Sequence, residues 1–517
     1  MNKVKPINLS LVVVLLTITF SLNGQTTSVE IKSSADAPVI SKHIYGHFAE
    51  HLGRCIYGGL YVGEDSKIPN KDGVRQDIID ALIELKIPNL RWPGGCFADT
   101  YHWKDGVGPK EDRPSMVNKW WGNVVEDNSF GTHDFLNLCE VLDAEPYLAA
   151  NVGSSTVQEF TEYIQYVTRE EGVPMSDYRI ENGRKEPWNV KFWGVGNEMW
   201  GCGGHMRPEH YADIYRQYAT FMTDWSNSDD FYRIASGANV DDYNWTEVLM
   251  REIPKNLIEG VALHSYSFVE WNDKGSAKDF TEEQYFSTMK TALRMDELIR
   301  NHTAIMDKYD PNKRVDLIVD EWGGWYQVEE GTNPGFLYQQ NTMRDAMIAG
   351  TTLNIFNNHS DRVKMANLAQ TVNVLQAVIL TQDEKMLLTP TYHVMRMYNV
   401  HQDAKLLPVE FTSPLYVHNG EALPALSVSA SEDNSGNKHF SLVNIDAKKE
   451  HEIELNVDGL KLKNAVAQIL TSKRVQDHNT FDNPEKVKPI EFKDFKLKNG
   501  KLTLTLPPFS VVVVEAK

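Results

Sequence analysis

Glu198 closes the run Phe-Trp-Gly-Val-Gly-Asn-Glu, and Glu321 lies in Leu-Ile-Val-Asp-Glu-Trp-Gly; each stands at the C-terminal end of an apolar stretch with the character of a buried strand. Burying an unpaired carboxylate is costly, so an acidic residue at such a position has either partners or a task. Two carboxylates of this kind, one holding a proton and one charged, suit general acid/base and nucleophilic chemistry at a glycosidic bond. They are far apart in the chain, so the fold must bring two strand ends together.

Other polar residues gather at the ends of neighbouring strand-like runs. His47, Glu50 and His51 close the first. Arg91 and the turn Trp-Pro-Gly-Gly-Cys96 close the second, and Asn151 closes the third. Asn197 directly precedes Glu198, and His264 and Tyr266 end the sixth. Trp92, Trp103, Trp193, Trp200, Trp322 and Trp325 accompany them, with Trp193 read as packing. Carboxylates, amide and guanidinium donors and flat apolar faces suit a sugar ring, with hydroxyls at its edge and C–H groups on its faces. No Gly-rich phosphate loop is present. His47-Phe-Ala-Glu50-His51 has the His-x-x-Glu-His spacing of some zinc peptidases, but that motif needs a helix to align its ligands, and here the segment ends a strand. No metal and no cofactor are expected.

Positioning these groups calls for strands that alternate with helices and open their C-terminal ends onto one face. Eight candidate strands are Ile44 to Glu50, Pro88 to Trp92, Pro146 to Asn151, Val190 to Glu198, Arg233 to Asn239, Gly260 to His264, Val315 to Glu321 and Thr351 to Phe356. Arg75 to Lys86 places Ile78, Ile79, Leu82, Ile83 and Leu85 on one helical stripe; Val157, Phe160, Ile164 and Val167 recur at helical steps. The pattern predicts an α/β chain with a (β/α)₈ TIM barrel over residues 44–400. After about His401 the period changes to two: Leu426, Val428 and Ala430, then Ile453, Leu455 and Val457, then Leu502, Leu504 and Leu506 alternate with polar residues. That is the texture of half-buried antiparallel strands. Val29 and Ile31 follow the same rule, so residues 27–43 are expected to join 401–517 in an all-β sandwich.

Composition fits a soluble enzyme. The 71 acidic residues exceed the 52 basic ones, giving a net charge of −19. That excess opposes nucleic acid and anionic membranes and favours a neutral or cationic substrate. Lys3 and Lys5 precede an apolar stretch from Leu9 to Leu22, too short to span a bilayer, so residues 1–24 read as a secretory signal and the mature protein as secreted or periplasmic, with no membrane span. Cys55, Cys96, Cys139 and Cys202 show no metal-ribbon spacing. Cys139 falls on an apolar helix face. Any two of the other three could pair in an oxidising compartment, and the sequence leaves open which.

The strings HIYGHFAEHLGRCIYGGL, LRWPGGCFADTYHWKDGVGP, EPYLAANVG, FWGVGNEMWGCGG, VDEWGGWY and NLAQTVNVLQA, in this order from about residue 40 to 400, resemble the α-L-arabinofuranosidases of glycoside hydrolase family 51. The resemblance implies a retaining mechanism in a (β/α)₈ barrel followed by a jelly-roll sandwich. It implies Glu198 as acid/base and Glu321 as nucleophile. It further implies that Glu50, Arg91, Asn197, Tyr266 and Gln370 hold the sugar or orient the nucleophile, with His264 and Trp325 close by. Cys96 falls at a sugar-contacting position where some members carry Asn. Arabinose-containing plant polysaccharides and oligosaccharides are the implied substrates, and self-assembly into a homo-oligomer is expected. Without the resemblance, Gln370 reads as a satisfied core amide. The loop from Glu111 to Asn128 is expected to shape the entrance. The competing functions are a related β-xylosidase or endoglucanase, and a glycan-binding protein without catalysis.

Overall fold

A computed structural model describes residues 26–34, 36–226, 231–458 and 461–517. The expected secretory signal, residues 1–24, lies outside the described residues. Eight parallel strands close into a barrel: β1 (Gly46–Phe48), β2 (Asn89–Trp92), β3 (Glu145–Ala150), β4 (Phe192–Val195), β5 (Tyr232–Asn239), β6 (Gly260–Ser267), β7 (Asp316–Gly324) and β8 (Val363–Ala369). They follow one another in sequence order around the barrel, and β8 pairs with β1 to close it. Buried Tyr147, Phe192, Ile234, Ala262, Ile318 and Met365 form a separate apolar cluster with one residue from each of β3 to β8. This layer fills the barrel interior and forces ligands to the rim, as barrels of this kind require.

Seven of the expected strands are found with shifts of a few residues. The eighth is corrected: Thr351 to Phe356 lies inside the helix Met343–Asn358, and the eighth strand is Val363–Ala369. That helix is buried at every position from Met343 to Asn357 because it is covered on both sides. Phe356 packs edge-on against Trp322 of β7 at 5.4 Å. On its other side, Asn354, Asn357 and Asn358 donate to Ser427 Oγ, Ser429 Oγ and Val428 O at 3.2, 3.1 and 3.0 Å. A helix buried all round, with its polar side chains bonded inside the protein, has no solvent face and so shows no clear helical period.

The segment that contributes those acceptors, Leu426–Glu432, belongs to a six-stranded sheet. A five-stranded sheet packs against it, and Val428, Ala430, Leu442, Ile453, Leu455, Leu502 and Leu504 fill the space between. Thr27–Ile31 pairs in parallel with His451–Val457 in the five-stranded sheet and buries Val29 and Ile31 completely. Among the described residues, no helix is long and apolar enough to cross a membrane.

Candidate active site

Arg91, near the end of β2, sits under the site. It is 1% exposed, its guanidinium lies 4.5 Å from the Phe48 ring centroid, and it donates to Glu321 Oε1 at 2.9 Å, Asn197 Oδ1 at 2.5 Å and Asp320 O at 3.2 Å. Burial opposes the charge, but Asp320 and Glu321 outweigh it and hold Arg91 firmly cationic. One buried cation thus fixes the Glu321 carboxylate and the side chain beside Glu198. Tyr266 donates its hydroxyl to the other oxygen, Glu321 Oε2, at 2.8 Å.

Asp320 and Glu321 are sequence neighbours on β7, and in a regular strand they would face opposite sides. The β7 ladder is irregular between Val319 and Trp322 on one side, and the β6 register shifts between Ala262 and His264 on the other. These bulges turn both carboxylates toward the barrel axis, a device common next to active sites. Asp320 is 2% exposed, accepts the Tyr147 hydroxyl at 2.7 Å and lies 3.6 Å from Arg91 Nε. Burial raises its pKa, but Arg91 and His264 outweigh that and keep it below the ordinary carboxylate value.

His264 joins the carboxylates. Its Nε2 lies 3.1 Å from Asp320 Oδ1, and its Nδ1 lies 2.9 Å from Glu198 Oε1 and 3.5 Å from Glu321 Oε2. Burial disfavours the charged ring, but Glu321 and Asp320 push its pKa up to about 10. An imidazolium donates from both nitrogens, so Glu198 Oε1 and Asp320 Oδ1 are both acceptors. Glu198 is held above its ordinary value, first by burial and then by the charge of Glu321, with His264 pulling the other way. One oxygen of Glu198 lies within 4.8 Å of one oxygen of Glu321. Glu198, His264 and Glu321 have the donor count of a small metal site, but a doubly donating imidazolium offers a cation no lone pair.

Glu50, just past β1, accepts from three donors: Trp121 Nε1 at 2.8 Å, the Phe97 backbone N–H at 3.1 Å and Gln370 Nε2 at 2.9 Å. Burial and the charge of Glu321 push it up to about 7 against those three bonds. Gly94 and Gly95 allow the close approach. A methyl on Gly95 would stand 2.9 Å from Glu321 Oε1, and one on Gly94 would stand 2.8 Å from Glu50 Cγ. The Trp325 ring packs edge-on against Tyr266 at 5.2 Å; 57% exposed Trp271 packs on Trp325 at 5.9 Å, extending an aromatic edge toward solvent.

The structure therefore brings together Glu50, Arg91, Asn197, Glu198, His264, Tyr266, Glu321, Trp325 and Gln370. Gln370 belongs to the site rather than to a detached core. Cys96 is bonded to Cys202, while Cys55 and Cys139 are free and buried. Asn151 serves its own loop, donating to Tyr101 O and Ser154. The zinc-peptidase spacing does not converge: His51 stacks on Phe97 and accepts from Trp92 Nε1, Glu50 turns to Gln370, and both ring nitrogens of His47 are buried without a partner. Trp193 is fully buried packing. Sequence reasoning missed Asp320, Asp99, Tyr147 and Trp121. Trp121 lies in the predicted entrance loop, where its place in Trp120-Trp121-Gly122 was the available signal.

A barrel closed by eight parallel strands, with two glutamates converging at the C-terminal ends of β4 and β7, defines a glycoside hydrolase of the (β/α)₈ class. Residues 81–282 match the family model described as α-L-arabinofuranosidase 1 domain, and residues 320–510 match that of the α-L-arabinofuranosidase C-terminal domain. An intracellular exo-α-L-arabinofuranosidase of Bacteroides ovatus is 48% identical over 97% of this chain and 98% of its own length. α-L-Arabinofuranosidase C of Emericella nidulans is 32% identical, covering 81% of this chain and 84% of its own. The crystal structure of the family 51 arabinofuranosidase from Xanthomonas axonopodis pv. citri superposes with a TM-score of 0.93 at 44% identity, covering 95% of this chain and all of that one. The chain belongs to glycoside hydrolase family 51 and is an α-L-arabinofuranosidase. The expectation of a secreted or periplasmic protein is corrected here, because the Bacteroides relative, matched over nearly its whole length, is named as intracellular. A short apolar stretch behind two lysines meets only the loosest requirements of a signal.

Proposed function

We propose that the enzyme removes terminal non-reducing α-L-arabinofuranosyl residues from arabinan, arabinoxylan and their oligosaccharides, with retention of configuration. One observation carries the mechanism: the close approach of Glu198 to Glu321, with an oxygen of each within 4.8 Å. A retaining pair stands roughly 5–5.5 Å apart, whereas an inverting pair leaves roughly 6.5–9.5 Å for a water. The exo mode is supported by the name of the Bacteroides relative, and a site backed by Glu50, Trp121 and Gln370 suits a single terminal ring.

Glu321, fixed by Arg91 and Tyr266, attacks the anomeric carbon while Glu198 protonates the departing oxygen. Their mutual repulsion keeps the proton on Glu198, whose environment already favours it. When Glu321 becomes an ester its charge disappears, and with it one cause of the raised pKa of Glu198. His264 and Arg91 then favour the Glu198 carboxylate, which takes a proton from water for the second displacement.

The test uses aryl α-L-arabinofuranosides. Glu321→Gly should nearly abolish turnover, and Glu198→Ala should be rescued by azide with formation of an arabinosyl azide of inverted configuration relative to the enzyme-bound ester. Full activity in Glu321→Gly overturns the assignment. Initial rates on defined arabino- and arabinoxylo-oligosaccharides then rank the natural substrates.

A further inference from the structure

The turn after β2 carries two features that the reaction above does not use. Asp99, 3% exposed, accepts only backbone amides: those of Val152 and Gly153 on Oδ1, both at 2.7 Å, and that of Asn197 on Oδ2 at 2.8 Å. Among the described residues no Lys, Arg or His lies within ion-pair distance of it; burial pushes its pKa up, and the charge of Arg91 opposes this only from farther off. A carboxylate buried without a cation is costly, and the amides it serves are the loops after β3 and β4. The last of them belongs to the residue before Glu198.

Glu198 needs such support. Its φ is +43°, a conformation that side chains other than glycine adopt at a cost of about 1–2 kcal/mol. The chain beyond it is pressed onto the same turn. A methyl on Gly203 would stand 2.1 Å from Asn197 O and 3.0 Å from Asp99 Oδ2, and one on Gly153 would stand 2.6 Å from Gly203 O. Cys202 in this segment is bonded to Cys96, three residues before Asp99, with the Cα atoms 5.5 Å apart.

The bridge also faces the reacting group. Cys202 Sγ lies 3.6 Å from Glu198 Oε2. A disulfide sulfur carries no hydrogen, so this neighbour donates nothing. His264 holds Oε1, which leaves Oε2 as the oxygen free to carry the acid proton toward a leaving group.

We propose that the Cys96–Asp99 turn is a positioning bracket for Glu198, acting through the Asp99 bond to Asn197 N–H and through the Cys96–Cys202 bond beside Oε2. The inference rests on the reading of Glu198 as acid/base. Asp99 and the bridge touch no reacting atom; they hold the residue that does.

The experiment compares kcat/KM across α-L-arabinofuranosides whose leaving groups run from dinitrophenol, which needs no protonation, to simple alcohols, which do. In Asp99→Asn, an amide N–H₂ replaces the acceptor facing Asn197 N–H. Alcohol leaving groups should slow by at least about tenfold, part of the 10²–10⁴ that a general acid supplies, while dinitrophenyl arabinoside should change by less than about twofold. Opening the bridge in the parent enzyme with an excess of a dithiol should give the same pattern. The S–S bond takes up two electrons and two protons to form two thiols, and the dithiol becomes a cyclic disulfide. The Cys96→Ser/Cys202→Ser variant should not respond to the dithiol.

Equal losses on both substrate classes would mean a merely structural role and overturn the proposal, as would no loss on either. If Asp99→Asn does not fold, the reduced parent enzyme decides, with its thiols counted. Glu198→Ala, run in parallel, separates the two levels: if its own losses do not depend on the leaving group, the acid/base reading fails rather than the bracket.

Discussion

Replacing His264 by Gln tests how proton affinity is set at this centre. Gln keeps a polar N–H near Glu198 but removes the positive charge that lies 2.9 Å from Oε1. A hydrogen bond to a charged partner contributes about 1.5–3 kcal/mol and a neutral one about 1, so the variant loses about 0.5–2 kcal/mol of preference for the Glu198 carboxylate. At about 1.4 kcal/mol per unit, this corresponds to roughly 0.4–1.5 pH units. The sign follows from the role of the proton. Glu198 must be protonated for the first displacement, and the lost cation had favoured the deprotonated form. The alkaline limb of kcat/KM therefore moves to higher pH, even though the plateau falls. Asp320 loses its imidazolium partner in the same variant and adds unneutralised negative charge, which pushes the limb the same way. The assay is the pH profile of kcat/KM on an aryl arabinofuranoside with an unactivated leaving group. An alkaline limb that stays in place or moves toward acid would refute the electrostatic reasoning.

Two further outcomes follow from the same contacts. Gly95→Ala places a methyl 2.9 Å from Glu321 Oε1, so kcat should fall by about tenfold or more from a displacement of the order of 1 Å while thermal unfolding shifts little; unchanged kcat would contradict the described approach of the turn to Glu321. Glu50, with its pKa pushed up to about 7 from the ordinary 4.5, binds a proton more tightly in the folded state. Its stabilising contribution is therefore full below about pH 4.5 and is lost as pH rises to about 7, by about 3.5 kcal/mol at most, given about 1.4 per unit. Urea unfolding of Glu50→Gln and the parent should show the parent losing stability relative to the variant between pH 5 and 8; a constant difference would sink this point.

Much of this architecture is legible in the chain because each glutamate follows a buried apolar run, Phe192–Val195 before Glu198 and Leu317 to Val319 before Glu321. The sandwich is legible for a simpler reason: Ile453, Leu455 and Val457 alternate with exposed neighbours, and all three are buried. The eighth strand was not legible. Its seven residues include Lys364 and Asn367, whereas Thr351, Thr352, Ile355 and Phe356 of the preceding helix are the β-branched and aromatic types that strands favour. Length and burial compete there, and composition alone favours the wrong element. Asp320 was hidden by its neighbour, since regular alternation turns it away from Glu321 and only the bulges in β7 bring it back. Asp99 carried no signal at all, because its partners are backbone amides, which one-letter sequence does not distinguish. Gln370 was legible only through the resemblance, since the residues around it form an apolar run and its bond to Glu50 spans most of the barrel sequence.

The stereochemistry of the first product tests the central claim most directly. With methanol present as acceptor, proton NMR of the early reaction should show methyl α-L-arabinofuranoside, which does not mutarotate and so preserves the outcome of two successive displacements at the anomeric carbon. Accumulation of the methyl β-anomer would mean a single displacement and would contradict Glu321 as a covalent nucleophile.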